Sequence, residues 1–161
     1  MSALTESGIG VTLPPGWDGE IATPPTGPNA AGPGQPRTAA IGRTVVHVAN
    51  FALPRQRGDF GSGAVEMMDA DDVLIVLFEH DPGDAGKALF ASRGIPSSLG
   101  PSDFDPNAMQ RPLHGQSGCQ RFFNEGGRAF CLYVVLGSHL DRRRLLEDVN
   151  EVLASLVVGR T

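Results

Sequence analysis

The sequence predicts an α+β fold: a central antiparallel β-sheet of about five to seven strands, flanked by helices, with a C-terminal amphipathic helix packed on the sheet. Three observations predict it. Strand-length apolar segments recur along the chain, a Gly-Gly pair interrupts two strand-like runs, and the C-terminal segment carries an apolar stripe at helical spacing. Sheet strands that are apolar on both faces need a covering layer on each side.

Composition and charge limit the classes of protein to which this chain can belong. The chain has 161 residues, 40% of them hydrophobic and 19% charged, which suits one folded domain spanning residues 1–161. A net charge of −5 argues against a nucleic-acid partner and against an anionic membrane surface. The first residues, MSALTESGIG, lack the pattern of an export signal, and no apolar run has transmembrane length. We therefore expect a cytoplasmic protein.

The N-terminal segment predicts two short strands and a loop. Apolar residues alternate over 9–13, a Pro-Pro-Gly turn follows, and a second short strand fits 20–22. Residues 23–38 are rich in Pro and Gly, which predicts a mobile loop within the domain.

Two longer strands are predicted next. Residues 44–53 are partly apolar on both faces, which predicts a central strand, with His47 as a hydrogen-bonded core or edge histidine. The continuous run VLIVLF at 73–78 predicts a buried strand. Between them, Ser62 is placed to cap a short helix over 64–68.

Residues 80–116 form a long irregular connection, with one or two helical turns near 85–90. Long loops in small domains are often functional, so we expect a binding surface here. Its apolar anchors are Ile95, Leu99, Phe104, Met109 and Leu113.

Residues 119–136 predict a hairpin that holds both cysteines of the chain. A three-residue loop would place Cys119 opposite Cys131, whereas a turn at Glu125-Gly126 would place the sulfurs on opposite faces. The sequence does not choose between these registers. Two buried thiols are the expectation, ahead of a disulfide or a metal site.

The C-terminal segment 139–157 predicts a helix that begins with a capping box of Ser138 and Asp141. One stripe is apolar and the opposite side is acidic, so the helix should cover one face of the sheet. The stripe consists of Leu145, Val149, Val152, Leu153 and Leu156.

Several polar residues are candidate site residues. Glu79, His80, His114 and Ser117 are the candidates for a small enzyme or ligand site. The basic run at the helix start, with Arg142 and Arg143, is a candidate anion site beside a helix N-terminus. No spacing typical of a metal site or of a phosphate-binding loop occurs, so no metal, cofactor or catalytic set is expected.

The order of LPPGW, NFAL, DDVLIVLFE, GGRAF and VNEVLASL resembles the PsbP family and the related Mog-type proteins. It also resembles a group of small bacterial proteins of unknown function. The resemblance implies a central antiparallel sheet between helical layers and a role as an adaptor rather than an enzyme.

We therefore expect a non-enzymatic protein-binding or adaptor domain. The partner surface would use the 80–116 connection, with His80, His114, Arg142 and Arg143 beside its apolar anchors, and the exposed side of the hairpin. The alternative is a small enzyme or ligand-binding protein with a site around Glu79, His80, His114 and Ser117. The sequence identifies neither the protein partner nor the oligomeric state.

Overall fold

A five-stranded antiparallel sheet forms the centre of the molecule. The structure, a computed structural model, describes residues 1–23 and 43–159. Its first strands are β1 (Ser2–Glu6) and β2 (Ile9–Leu13). The remaining strands are β3 (Asp18–Ala22), β4 (Val45–Ala49), β5 (Val73–Glu79), β6 (Ser117–Glu125), β7 (Arg128–Leu136) and β8 (Val157–Val158). The large sheet has the order β3-β4-β5-β7-β6, within the predicted strand number.

A smaller sheet with the order β1-β2-β8 lies beside the large one. The sequence did not predict β1, because Leu4 is its only partly buried residue and the rest of the strand is exposed. Strand β2 lies where the alternation predicted a strand, but it is almost wholly buried, whereas such alternation is typical of a half-buried strand. Apart from Thr23, the predicted loop at 23–38 lies outside the described residues.

The two faces of the large sheet are covered differently. One, the helix face, packs against helix α1 (Arg142–Ser155) and the smaller sheet around Val46, Ile75 and Val134. The other, the loop face, carries Leu74, Val76 and Tyr133 under the 50–68 loop and part of the 80–116 connection. Both β4 and β5 are buried on each face, which confirms their predicted central position.

Helical cover is smaller than predicted. In residues 1–23 and 43–159, α1 is the single α-helix. The other helical pieces are 3₁₀ turns at Val65–Met67, Pro82–Gly86, Ala88–Phe90 and Pro101–Asp103. Ser62 does not cap the first of them; Ala64 is at that position and makes no side-chain hydrogen bond. None of the described helices has the length and apolar character needed to cross a membrane.

Helix α1 confirms the predicted apolar stripe. All five stripe residues are buried, and Leu146 joins them. The helix begins later than predicted because Ser138 Oγ accepts a hydrogen bond from the Asp141 N–H (3.2 Å) in a turn before the helix. It ends at Ser155, since Val157 leaves the helical path to pair with Gly10 of β2.

The hairpin adopts neither of the two registers considered. Gly126 and Gly127 alone form the turn, with φ of 59° and 81°, the left-handed values that a two-residue turn of this kind needs. Cys119 therefore faces Val134, and Phe122 faces Cys131. Cys119 lies on the helix face and Cys131 on the loop face, so both remain free buried thiols.

The 80–116 connection protects the outer edge of β6. At one end, Gly94 N donates to Asn124 O and Asn124 N donates to Ser92 O, both at 2.8 Å. At the other end, Asp105 and Gly118 exchange two backbone hydrogen bonds of 3.0 Å. Pairing an exposed edge in this way prevents it from joining another sheet.

Candidate functional site

A polar row crosses the loop face of the sheet. Glu20, His47, Val76, Tyr133 and Gln120 occupy one rung, in strand order. Buried polar groups need hydrogen-bond partners. The 50–68 loop supplies them for His47 and the coil near residue 110 supplies one for Tyr133, so this rung determines where the covering segments lie.

His47 and Arg57 hold the loop to the sheet. The His47 side chain is buried; its Nδ1 accepts a hydrogen bond from Arg57 Nε (2.8 Å), and its Nε2 lies 2.8 Å from the Asp59 carbonyl oxygen. Arg57 also donates to the Pro54 carbonyl oxygen (2.7 Å) and pairs with Glu20. The prediction of a hydrogen-bonded core histidine at position 47 is confirmed.

These contacts fix the protonation state of His47. The Arg57 Nε–H can only donate, so His47 Nδ1 must accept and Nε2 must carry the proton donated to Asp59. Burial is the main reason that the pKa of His47 lies below its ordinary value, with the nearby Arg57 charge acting in the same direction. The neutral ring is therefore the form that fits the site.

Phe60 brings the same loop onto the aromatic part of the sheet. Its ring stacks on Phe78, with centroids 5.0 Å apart, and meets Tyr133 edge-on at 5.9 Å. The Tyr133 hydroxyl accepts a hydrogen bond from Gln110 N (3.0 Å), which ties the 80–116 connection to the other side of that ring. Burial raises the pKa of Tyr133, so its hydroxyl stays protonated.

A groove of about 470 Å³, here called the Phe60 groove, separates these two covering segments. That volume is in the range of small-ligand sites. Tyr133 and Val65 close its floor, and Phe60 forms one wall. Its complete lining is Gly58, Asp59, Phe60, Ser62, Val65, Glu66, Gln110, Arg111 and Tyr133.

The rim of the Phe60 groove has opposite charges on its two sides. Arg111, on the connection side, is exposed and has no salt-bridge partner among the described residues. Asp59 and Glu66 lie on the loop side, where Glu66 accepts a hydrogen bond from Gly63 N (2.6 Å). The groove thus combines an aromatic wall with an exposed guanidinium on one side and carboxylates on the other.

A larger groove of about 660 Å³ lies beside the hairpin turn. It is lined by Arg93, Gly94, Asn124 and Glu125 together with the two turn glycines, and no aromatic ring contributes to it. Binding sites for organic groups are mostly apolar with a few placed polar atoms. The smaller Phe60 groove fits that description better.

The four residues of the predicted enzyme site do not come together. Glu79 pairs with Phe130 on β7, whereas Ser117 pairs with Leu136, six residues farther along that strand. At about 3.3 Å per residue, these positions are about 20 Å apart. His80 follows Glu79 at one end of the sheet, and the exposed His114 precedes Ser117 at the other.

Two members of that set have structural partners at the hairpin end. The Glu79 carboxylate accepts two hydrogen bonds from Arg128, at 2.7 and 2.9 Å. His80 packs between Phe78 and Phe90, with ring centroids 5.0 and 4.9 Å away. Burial lowers the pKa of His80, which favours its neutral form.

Ser117 is fully buried at the opposite end, and its hydroxyl has no hydrogen-bond partner among the described residues. Glu79, His80 and Ser117 are therefore part of the packing of the sheet.

The predicted binding residues of the 80–116 connection point inward. Leu99, Phe104 and Met109 are buried, and Ile95 and Leu113 are partly buried against the two core clusters. These side chains anchor the connection, so they are not the surface that it presents. Its exposed side is formed by other residues, among them Gln110 and Arg111.

The predicted anion site at the start of α1 has a different arrangement. Arg142 donates to the Pro101 carbonyl oxygen (3.2 Å) and the His139 carbonyl oxygen (2.8 Å), which fixes the connection to the helix. Arg143 is exposed, and Arg144 pairs with Asp71 at 2.7 Å.

The two thiols are in environments that make them unreactive. Burial raises the pKa of Cys119 to about 11 and that of Cys131 to about 12. The reactive thiolate is therefore scarce near neutral pH. Among the described residues, no cluster of three or more His, Cys, Asp or Glu side chains is arranged to hold a metal ion.

Sequence reasoning missed the residues of the Phe60 groove. Phe60 and Arg111 lie in segments predicted as loop and coil, and Tyr133 lies on a strand that is buried throughout. Only the polar interruption of an apolar strand at His47 signalled a site on this face. Its partners Arg57 and Glu20 come from loop and strand positions that carry no distinctive motif.

Comparison with known proteins adds no family to this description. No protein-family model matches the chain, and neither a curated protein nor a solved structure gives a significant match.

Proposed function

We propose that this protein is a non-enzymatic binding domain whose protein partner docks in the Phe60 groove. The observation that carries the proposal is the juxtaposition of an aromatic wall, Phe60, with the exposed guanidinium of Arg111, which has no salt-bridge partner within residues 1–23 and 43–159, across a groove of about 470 Å³. The resemblance to PsbP-like and Mog-type proteins, and the cytoplasmic location, stay predictions.

The chemistry of the groove indicates what the partner presents. An aromatic or large aliphatic side chain would pack against Phe60, because burying apolar area there is favourable. A neighbouring carboxylate would pair with Arg111, whose guanidinium matches that group geometrically. The carboxylates of Asp59 and Glu66 on the opposite side would accept N–H groups of the partner's backbone.

The proposed partner surface overlaps in part with the surface predicted from the sequence, the 80–116 connection. The apolar anchors are committed to the core, but Gln110 and Arg111 belong to the 80–116 connection and form one side of the groove. The other side is the 50–68 loop. A segment that entered the groove would therefore contact both coverings of the loop face.

A titration with N-acetyl-phenylalanine tests the proposal at pH 7.5, with N-acetyl-phenylalanine amide as the uncharged comparison. We expect amide shifts in ¹⁵N spectra at Gly58, Gln110 and Tyr133, with the carboxylate binding about threefold more tightly than the amide. That preference is the size expected of one exposed charge pair.

Matched variants separate the groove from general charge effects. Arg111→Gln should abolish the preference for the carboxylate, whereas Arg93→Gln, which removes an exposed arginine from the hairpin groove, should leave it unchanged. Shifts outside the Phe60 groove, or an unchanged preference in Arg111→Gln, would refute the proposed site.

A further inference from the structure

We propose that His47 and Arg57 form an acid-sensitive latch that holds residues 54–63 on the sheet, and that protonation of His47 releases this wall of the Phe60 groove. This inference rests on the proposed function for its biological meaning, since it describes how binding at that groove would be regulated. The latch itself is a property of the free protein.

The geometry of the latch admits only one protonation state. Both ring nitrogens of the buried His47 are engaged, Nδ1 as acceptor from Arg57 and Nε2 as donor to Asp59. A second proton would sit on Nδ1 and face the Arg57 Nε–H at 2.8 Å. Two donors and two positive charges would then replace one hydrogen bond, and a buried unpaired donor is costly.

Burial and the Arg57 charge lower the pKa of His47, and together they outweigh the hydrogen bond to the Asp59 carbonyl and the Asp59 and Glu20 carboxylates, which raise it. From β3, Glu20 faces His47 and is already paired with Arg57. The loop contributes Arg55, Arg57 and Asp59, which line the small cavity of about 170 Å³ next to the ring. From β5, the uncharged Val76 occupies the same rung. The cation nearest to the ring is therefore the one whose hydrogen bond protonation removes.

Release of the latch acts directly on the groove. Arg57 and Asp59 are the two loop residues bonded to the ring, and Gly58, Asp59 and Phe60 line the Phe60 groove. Between the latch and Val65, the backbone hydrogen bonds of the loop are short-range, such as Gly61 N to Gly58 O (2.9 Å), and the Phe60 ring contacts Phe78 and Tyr133 of the sheet. Moving residues 57–59 would therefore displace the aromatic wall.

The direction of the pH response follows from burial. Because the closed loop lowers the pKa of His47 below 6.5, the closed state favours the neutral ring, and opening restores ordinary titration. The closed state keeps its full advantage above pH 6.5. From pH 6.5 down to the lowered pKa, the ratio of closed to open molecules falls by up to about tenfold per pH unit. Below that pKa the ratio falls no further.

Hydrogen exchange of the free protein tests the latch between pH 7.5 and 5. The readout is the exchange of the Gly61 amide, corrected for the intrinsic rate at each pH, beside long-range ¹H–¹⁵N spectra of the His47 ring. We expect the Nε2–H tautomer at pH 7.5. Below pH 6.5 the equilibrium constant for opening at the Gly61 amide should increase by up to about tenfold per pH unit. The midpoint of this increase should coincide with the midpoint of the His47 ring titration.

Two substitutions identify the group responsible. In His47→Gln the amide can accept from Arg57 and donate to Asp59 without titrating, so Gly61 opening should become independent of pH. His80→Gln removes a partly buried histidine whose pKa is also lowered, and should behave as the wild type.

A pH response retained in His47→Gln would overturn the latch. If that variant does not fold, the wild-type protein is sufficient to test the proposal. A His47 ring titration and a pH dependence of Gly61 opening with different midpoints would overturn it. Because no probe ligand is present, this result is independent of the N-acetyl-phenylalanine titration. If both proposals hold, N-acetyl-phenylalanine binding weakens at pH 5 in the wild type and not in His47→Gln.

Discussion

Arg128 illustrates how a single charged residue can join separate parts of this molecule. Its side chain is 3% exposed and forms a bidentate pair with Glu79, which is 13% exposed. It also donates to the Gly159 carbonyl oxygen beyond β8 (3.3 Å), and its guanidinium lies 5.2 Å from the centre of the Phe130 ring. The residue therefore connects the hairpin end of the large sheet to the small sheet.

We predict that Arg128→Met lowers the free energy of unfolding by about 3 kcal/mol, because it leaves the Glu79 carboxylate buried without its partner. Urea unfolding at pH 7.5 measures the change. The double variant Glu79→Met/Arg128→Met should lose less than the sum of the two single variants, since no charge is left unpaired in it.

Arg43→Met is the matched control, because the Arg43–Asp81 pair has exposed fractions of 43% and 46%. Exposed pairs contribute little, so a change of less than about 0.5 kcal/mol is expected. A loss as small as this for Arg128→Met would mean that the buried pair does not stabilise the junction of the two sheets.

For single residues, the sequence predicted the environment of a side chain better than its hydrogen-bond partners. A lone histidine on an apolar strand indicated that His47 would be buried and hydrogen-bonded, and it is. Its partners could not be inferred, because a loop residue can reach the ring only through a path fixed by the whole loop. Likewise, the sequence makes Glu79 a candidate site residue, because nothing in it indicates that Arg128, 49 residues away, lies beside its carboxylate.

Among the elements, the β6–β7 hairpin shows how a two-residue turn determines a register. Gly126 and Gly127 both adopt positive φ, so the closing pair is Glu125 with Arg128. The sequence predicted the hairpin and its strands, but two longer or shifted turns were equally compatible with the alternation of side chains. Moving the turn by one residue reverses the faces of one strand, and this is why the positions of Cys119 and Cys131 could not be predicted.

We predict opposite effects for substitutions at the two turn positions. Gly126→Asn should raise the free energy of unfolding by about 0.5 kcal/mol, since Asn tolerates the left-handed conformation and restricts the unfolded chain. Gly127→Ala should lower it by about 1 kcal/mol because Ala disfavours a φ of 81°. Thermal and urea unfolding measure both changes.

Gly83→Ala provides the comparison for the turn. Gly83 lies in a 3₁₀ turn, and a Cβ atom there would meet nothing within 4 Å, as at Gly127. Its φ is not positive, so the effect should stay within about 0.5 kcal/mol. An equal loss in Gly127→Ala and Gly83→Ala would show that backbone conformation does not account for the turn preference.

The whole molecule is asymmetric about its large sheet. On the helix face, α1 and β2 contribute regular elements whose buried side chains form one continuous cluster. On the loop face, the cover consists of irregular segments fixed by a few side-chain bonds such as that of Arg57 to His47. The sequence predicted the first cover because an amphipathic helix has a periodic pattern, whereas an irregular cover has none.

This asymmetry predicts two levels of stability within one chain. Amides of β7, such as that of Val134, should exchange only through global unfolding, because the strand is buried on both faces and paired on both sides. The Gly61 amide should exchange through local opening of the loop, which exposes little of the core. At pH 7.5 its protection should therefore be smaller than that of Val134 by several kcal/mol.

Val149→Ala on α1 distinguishes these two routes of exchange. Val149 is fully buried on the helix face, and loss of two methyl groups there should reduce global stability by about 2 kcal/mol. Protection of Val134 should fall by the same amount, while that of Gly61 stays constant, since local opening of the loop face does not separate α1 from the sheet. Equal losses at both amides would mean that the loop opens only when the whole molecule unfolds, and the groove would then have no independent motion for a latch to control.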